Sequence, residues 1–156
     1  MPSDIKTRLD LDHFLPYRLS VLSNRVSDAI ARHYSDRFGL SVPEWRIIAV
    51  LGQSPGLSAR DVAARTAMDK VQVSRAVASL VETRRVNRDA DESDGRVSRL
   101  SLSAKGHAIY DDVAPLALHL EEVLLGALTP DERKSLNKLM DKLTKQIKSL
   151  SVVSSP

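Results

Sequence analysis

Apolar side chains return along this chain at two different periods, and the change of period marks out its elements. Leu15, Leu19, Leu22, Val26 and Ala29 recur at steps of four and three. That is one face of a helix, predicted from Leu11 to Phe38 and ended by Gly39. Pro16 falls in its first turn, where a missing N–H costs little. Ser41 and Glu44 have the spacing of a capping box around Pro43, which opens a second helix to about Leu51. Gly52 to Gly56 reads as a turn. Ser58 with Asp61 repeats the capping signal and starts a short helix to about Arg65. After Thr66, Ala67 and Met68, Asp69 caps a further helix to about Arg84, with Val73, Ala76, Val77, Leu80 and Val81 on its inner face. Two short helices joined by about three residues match a helix-turn-helix.

The period then falls to two. Val86 to Asp89 is a short strand, Ala90 to Gly95 a polar, acidic tip, and Val97 to Leu102 a second strand with Leu100 and Leu102 on one face and Arg99 on the other. Ser103 caps a helix through Tyr110 and Leu120 to about Leu125, expected to bend at Pro115. Thr129-Pro130-Asp131-Glu132 joins an N-cap, a proline in the first turn and an acid at the third position, a strong helix start. Leu136, Met140, Leu143, Ile147 and Leu150 follow at heptad spacing, and 151–156 should fray. The fold expected is mainly α with a small β-hairpin: an N-terminal helix in 1–38, a helix-turn-helix with its hairpin in 39–106, and C-terminal helices in 107–156. Both ends carry apolar seams while the middle has a small core of its own. They predict an intermolecular helical interface, hence a homodimer.

Length and charge narrow this further. At 156 residues the chain suits one domain. With no cysteine it has no disulfide, thiolate nucleophile or cysteine-bound metal. Its four histidines (His13, His33, His107, His119) make no i, i+4 pair and no HExxH. A nucleophile elbow, phosphate loop and dinucleotide fingerprint are all missing, so neither an enzyme nor a cofactor is expected. The stretch up to Asp12 is too charged for a signal peptide, and Ile47 to Ala59, without ionisable groups, is too short and broken for a membrane span. A cytoplasmic protein with no membrane partner is the expectation. Between Gly56 and Lys105 ten basic residues face seven acidic ones, so the whole net charge of +3 sits in the middle third, a modest footprint for a polyanion.

Several segments, taken in order, resemble the MarR family of winged helix-turn-helix transcription regulators. They are Asp94-Gly95-Arg96 at the hairpin tip, Leu100-Ser101-Leu102-Ser103-Ala104-Lys105-Gly106 after it, Met68 to Arg75 around the second helix of the pair, and Pro43-Glu44-Trp45-Arg46 before it. In that family an Asp-x-Arg at the wing tip precedes a strand ending in leucine, Ser or Thr, two variable residues and glycine. The resemblance covers roughly residues 11 to 150. Gly95 departs from it, standing where a second basic residue often sits. It implies a homodimer on a pseudo-palindromic double-stranded DNA operator.

Outward from the second helix of the pair point Lys70, Gln72, Ser74, Arg75 and Ser79, with Val71 able to meet a thymine methyl. Lys and Arg suit guanine N7 and O6, Gln suits adenine, and Ser suits either a phosphate or a base edge. Arg96 fits a narrow minor groove, and the family motif implies that Asp94 orients its guanidinium. Arg84, Arg85, Arg88, Arg99 and Lys105 are candidate phosphate contacts.

The resemblance also implies an effector pocket lined by the first, second and fifth helices. Candidates are His13, Tyr17, Ser20 and Asn24, spaced four, three and four apart, with Trp45 and Arg46 on the second helix and Tyr110 on the fifth. Aromatic walls with an arginine and a histidine suit an aromatic acid or its CoA thioester. The expected function is a repressor released by such an effector. Two other readings stand beside it: a helical protein-interaction module without specific DNA binding, and a ligand-independent architectural DNA binder.

Overall fold

The structure is a computed structural model and describes residues 8–153. A 3₁₀ turn at Leu11–His13 precedes α1 (Leu15–Phe38), α2 (Val42–Gln53), α3 (Ala59–Thr66) and α4 (Lys70–Glu82). Strands β1 (Val86–Ala90) and β2 (Ser98–Leu102) follow, then α5 (Ala104–Leu125) and α6 (Pro130–Val153). The expected mainly α fold with a small hairpin is the fold observed. The chain divides into two compact units, Met1–Leu116 and Ala117–Pro156, and the division falls inside α5 just after Pro115.

In the first unit each local signal has a visible physical role. Pro16 lies in the first turn of α1, so the helix begins at Leu15 rather than Leu11. The preceding turn is separate, closed by the Asp10 carboxylate accepting from the Asp12 N–H. Both predicted capping boxes form: the Ser41 hydroxyl accepts from the Glu44 N–H at 3.3 Å, and the Ser58 hydroxyl from the Asp61 N–H at 3.1 Å. Such caps stabilise by about 1 kcal/mol each. The Asp61 carboxyl is held below its usual range, first by its hydrogen bonds with Ser58. Asp69 caps α4 by accepting from the N–H groups of Val71 and Gln72.

The strands pair antiparallel with Val86 opposite Leu102 and Arg88 opposite Leu100. One pairing was not expected. The Gly56 N–H donates to the Leu100 carbonyl and the Leu100 N–H to the Leu57 carbonyl, so the segment after α2 is docked on the hairpin. The predicted turn from Gly52 therefore starts later, and Gly52 and Gln53 stay helical.

A single apolar cluster joins these elements. It contains Ile47, Ile48 and Leu51 of α2, Val62 of α3, Val73, Val77 and Leu80 of α4, Leu100 and Leu102 of β2, Ile109 and Val113 of α5, and Tyr34 of α1. Gly106 explains the glycine after the second strand: a Cβ there would lie 2.1 Å from the Arg85 carbonyl oxygen. The first turn of α5 is thus pressed against the α4–β1 junction. Ser103 ties the same place, its hydroxyl donating to the Arg84 carbonyl and accepting from the Gly106 N–H.

In the second unit α6 starts as predicted. Thr129 and Glu132 exchange hydrogen bonds, the Thr129 N–H donating to the carboxylate and the Glu132 N–H to the hydroxyl. These bonds, the backbone one first, hold the Glu132 carboxyl below its ordinary range. Arg133 secures the turn before it through the Leu125 carbonyl and the Glu122 carboxylate. Helix α6 continues to Val153, past Ser151 where fraying is expected, and 154–156 lie outside the described residues. Leu136, Leu139, Met140 and Leu143 are exposed along it.

Candidate functional site

Helices α3 and α4 are joined by Ala67, Met68 and Asp69, with Ala67 in the left-handed conformation. Burial of Val73, Ala76, Val77 and Leu80 fixes the rotation of α4 and turns Lys70, Val71, Gln72, Ser74 and Arg75 outward, all exposed. Val71, 57% exposed, is an apolar side chain on this polar face. Gln72 and Arg75 line a groove of about 570 Å³ with Pro43 and Glu44 of α2, and Lys70 and Ser74 line a hollow of about 230 Å³ with Arg60 and Ala63 of α3. Ser79 does not stay on the outward face, because its hydroxyl donates to Glu44 at 3.1 Å and is partly buried there.

The hairpin organises its arginines into two kinds. Asp91 is the hub of the tip: it accepts from the Ser93 hydroxyl and N–H, from the Asp94 N–H, and from Arg99 Nε at 2.6 Å. These bonds, the Ser93 hydroxyl first and Arg99 second, push its carboxyl far below the usual range. Arg99 also lies 3.7 Å from the Asp61 carboxylate and donates to the Gly56 carbonyl. It ties the hairpin to the start of α3, so its charge is already met within the chain. Arg85 is likewise engaged, donating to the Phe38 carbonyl at the end of α1, and Lys105 donates to the Thr83 carbonyl. The Asp94 carboxylate accepts from the Arg96 backbone N–H at 3.1 Å. It therefore shapes the tip and, contrary to expectation, does not hold the Arg96 guanidinium.

Arg60, Arg88 and Arg96 are the other kind. Together with Ser58, Ser98 and Val97 they line a groove of about 410 Å³ between α3 and the hairpin. Among the described residues none of the three is paired with a carboxylate, and neither are Lys70 and Arg75. Several unneutralised cations on one side of α3, α4 and the hairpin suit a polyanion. Sequence reasoning missed Arg60, although it stands two residues after the Ser58 cap, on the helix that opens beside the hairpin.

The second set of predicted residues is only partly gathered. Trp45 packs against Tyr110 with ring centroids 6.4 Å apart and against Tyr34 at 5.7 Å. Arg46 donates to the Ser27 hydroxyl at 3.1 Å. His13 lies in the 3₁₀ turn rather than on α1, where its Nδ1 meets the Asp10 carboxylate at 2.8 Å. Tyr17, Ser20 and Asn24 are exposed on α1, with no hydrogen bond or ring contact to the Trp45 group among the described residues. Tyr17 instead borders a hollow of about 430 Å³ formed with Leu15, Leu19 and Leu22 on α1 itself. Tyr34 and Ser27 were not foreseen. The signal is there: the stripe Tyr17, Ser20, Asn24 continues at the same steps through Ser27 and Ala31 to Tyr34, where it passes under α2. Tyr34 is 1% exposed, and burial, against the lowering influence of Arg46 and with a smaller raising influence from Asp28, lifts its hydroxyl to a pKa of about 12.

An α3–α4 pair with an exposed polar second helix, flanked by a two-stranded hairpin, defines a winged helix-turn-helix protein that binds DNA. The MarR family profile matches residues 38–97, which run from the end of α1 into the hairpin. The chain is 26% identical to a MarR/EmrR family transcriptional regulator from Acinetobacter sp. ADP1, whose structure superposes with a TM-score of 0.82 over 90% of this chain and 99% of the other. It is 28% identical to the HTH-type transcriptional repressor Mb2911 of Mycobacterium bovis over 83% of this chain and 91% of that protein. With the HTH-type transcriptional regulator BilQ of Clostridium symbiosum it shares 29% identity over 69% of this chain and 74% of the relative. The chain is thus similar in sequence and fold to MarR-family transcription regulators. It is a DNA-binding transcription regulator and not an enzyme. Among the described residues no single helix is long and apolar enough to cross a membrane.

Proposed function

We propose that the protein is a homodimeric repressor, released from a pseudo-palindromic double-stranded operator by an aromatic acid or its CoA thioester. Lys70, Gln72, Ser74 and Arg75 face base edges in the major groove, as their donors and exposure suit. Arg96 enters the minor groove at the wing, with Asp94 shaping the tip that carries it. Arg60 and Arg88 take phosphates, and Arg99 braces the wing. A relative named as a repressor, 28% identical, supports the direction of control. The exposed apolar faces of α1 and α6 support the dimer, because leaving them in water forgoes roughly 25 cal/mol for each Å².

The effector reading is carried by the Arg46–Ser27 pair beside Trp45. It places a cation at the inner end of the Tyr17–Ser20–Asn24 stripe, next to aromatic rings, which is the chemistry an aromatic carboxylate needs. His13 serves the outer end of that stripe. A ligand changes operator affinity only through its preference for the DNA-free conformation, and about 1–3 kcal/mol of coupling gives several-fold to hundredfold release. The test is a gel-shift titration on the DNA upstream of the protein's own gene with aromatic acids and their CoA thioesters. Arg46→Ala and Trp45→Ala are expected to keep operator binding and lose release. Wild type that no such compound releases overturns the effector class, and variants that respond fully overturn the site.

A further inference from the structure

Trp45 and Gly52 stand seven residues apart on α2, two turns along one face. The ring of Tyr110, from α5, lies over that face. A Cβ built on Gly52 would be 2.5 Å from both Cδ2 and Cε2 of Tyr110, closer than any real Cβ contact. Glycine is a poor helix former, and here it sits inside a helix with no turn to make. What it provides is a recess that admits an aromatic ring.

That recess leads Tyr110 to the indole. The Tyr110 and Trp45 rings are stacked within 29° of parallel, while Tyr34, fully buried, leans on Trp45 at 38°. Trp45 is therefore packed by two tyrosines of its own chain. None of the four hollows described above is lined by Trp45, Arg46 or Tyr110. The space beside the indole is already filled by a phenol ring.

We infer that Gly52 and Tyr110 are the specificity-determining pair of the effector site: Tyr110, seated on Gly52, occupies the place of an incoming ring and sets the size that Trp45 admits. This rests on reading Trp45 as a wall of that site. A ligand ring enters by displacing the Tyr110 phenol from the recess, so rings of phenol size replace like with like. Larger fused rings also need the room that the displaced tyrosine still occupies. Both residues act by shape, since no hydrogen bond holds the Tyr110 hydroxyl among the described residues. The expected signature of the pair is therefore steric and reciprocal.

The chain has one tryptophan, so the emission of Trp45 reports the seat directly. The experiment uses the full chain as wild type, Gly52→Ala, Tyr110→Ala and the double variant, with p-cresol as the probe and 2-naphthol as a larger one. Tyr110→Val replaces Tyr110→Ala if the alanine variant does not fold. Gly52→Ala is expected to shift Trp45 emission and lower Tm in the wild-type background and to do neither in the Tyr110→Ala background. Tyr110→Ala is expected to bind p-cresol at least tenfold more tightly than wild type, read by quenching of Trp45, and to admit 2-naphthol. Equal effects of Gly52→Ala in both backgrounds, or p-cresol affinity unchanged by removing the tyrosine, overturns the inference. Wild type that ignores every aromatic acid on the operator, while Tyr110→Ala still gains p-cresol, removes the effector reading and leaves the ring seat standing.

Discussion

Helices α4 and α6 carry apolar residues at the same spacing and use them differently. The inner face of α4 (Val73, Ala76, Val77, Leu80) is buried within its own unit, with Leu80 at 0% exposure. The seam of α6 is exposed, with Leu143 at 46%, and none of the helix's described residues is buried. The arginines divide in the same way: Arg99 is met by Asp91 and Asp61, while Arg60, Arg88 and Arg96 have no carboxylate partner among the described residues. What the chain satisfies internally builds the lobe, and what it leaves open is what a second molecule can use. Apolar faces left open suit a second copy of the chain, and cations left open suit nucleic acid.

Breaking the open face of α6 gives the largest expected effect. Leu136→Glu with Leu143→Glu places two charges on the seam and is expected to leave the first unit folded. The protein should become monomeric in analytical ultracentrifugation, and operator affinity should fall on the order of 10²–10⁴-fold as the second half-site is lost. A double variant that stays dimeric and binds normally would place the interface elsewhere. The closed face of α4 answers differently. Leu80→Ala removes a fully buried side chain and is expected to cost about 2–5 kcal/mol of stability in urea melts. Its oligomeric state should not change while the protein is folded.

Most of this division was legible in the sequence, and the reasons are local. Caps and periodicity depend on neighbours within four residues, so Ser41–Glu44, Ser58–Asp61, Asp69 and Thr129–Glu132 all mark the helix starts observed. What escaped depends on distant partners. Nothing near Arg99 in the chain says that Asp61 lies beside it, 38 positions earlier. Nothing near Gly52 says that a tyrosine ring fills its missing side chain, so its glycine was read as a turn. Leu57 pairs with a strand more than forty residues away, which periodicity does not reach. The aromatic site was half legible for the same reason: Trp45, Arg46 and Tyr110 are named by residue type, whereas Tyr34 joins them only once α1 packs on α2.

Tyr34 gives a sharper test of where the closed region ends. Its hydroxyl ionises at about 12 in the folded chain against 10 ordinarily. A raised folded value means that its contribution is fully present below pH 10 and is lost as pH rises toward 12. Two units correspond to about 2–3 kcal/mol. Wild-type stability is expected to fall by that order across pH 10–12, and Tyr34→Phe should flatten the decline in chemical melts taken across the same range. An unchanged slope would place Tyr34 outside the packed core.

The smallest effect separates the two kinds of arginine. Each phosphate neutralised by a cation releases counterions and adds about 0.9 to the slope of log affinity against log salt. Arg60 has no carboxylate partner among the described residues, so Arg60→Ala is expected to lower that slope by about 1 per protomer, with base preference unchanged. Arg99 is different because its guanidinium is already engaged by Asp91 at 2.6 Å and Asp61 at 3.7 Å. Arg99→Ala should leave the salt slope nearly as it is and weaken binding at every salt concentration, because the wing loses its tie to α3. Asp61→Asn removes one side of that tie without touching any cation and should weaken binding in the same direction, by less. Fluorescence anisotropy on a labelled operator from low to moderate salt resolves the two patterns. Parallel lines for wild type and Arg99→Ala, with a shallower line for Arg60→Ala, are the expected result. If Arg99→Ala flattens the slope as much as Arg60→Ala does, Arg99 leaves its carboxylates for a phosphate on binding, and the distinction between engaged and open cations fails at the wing.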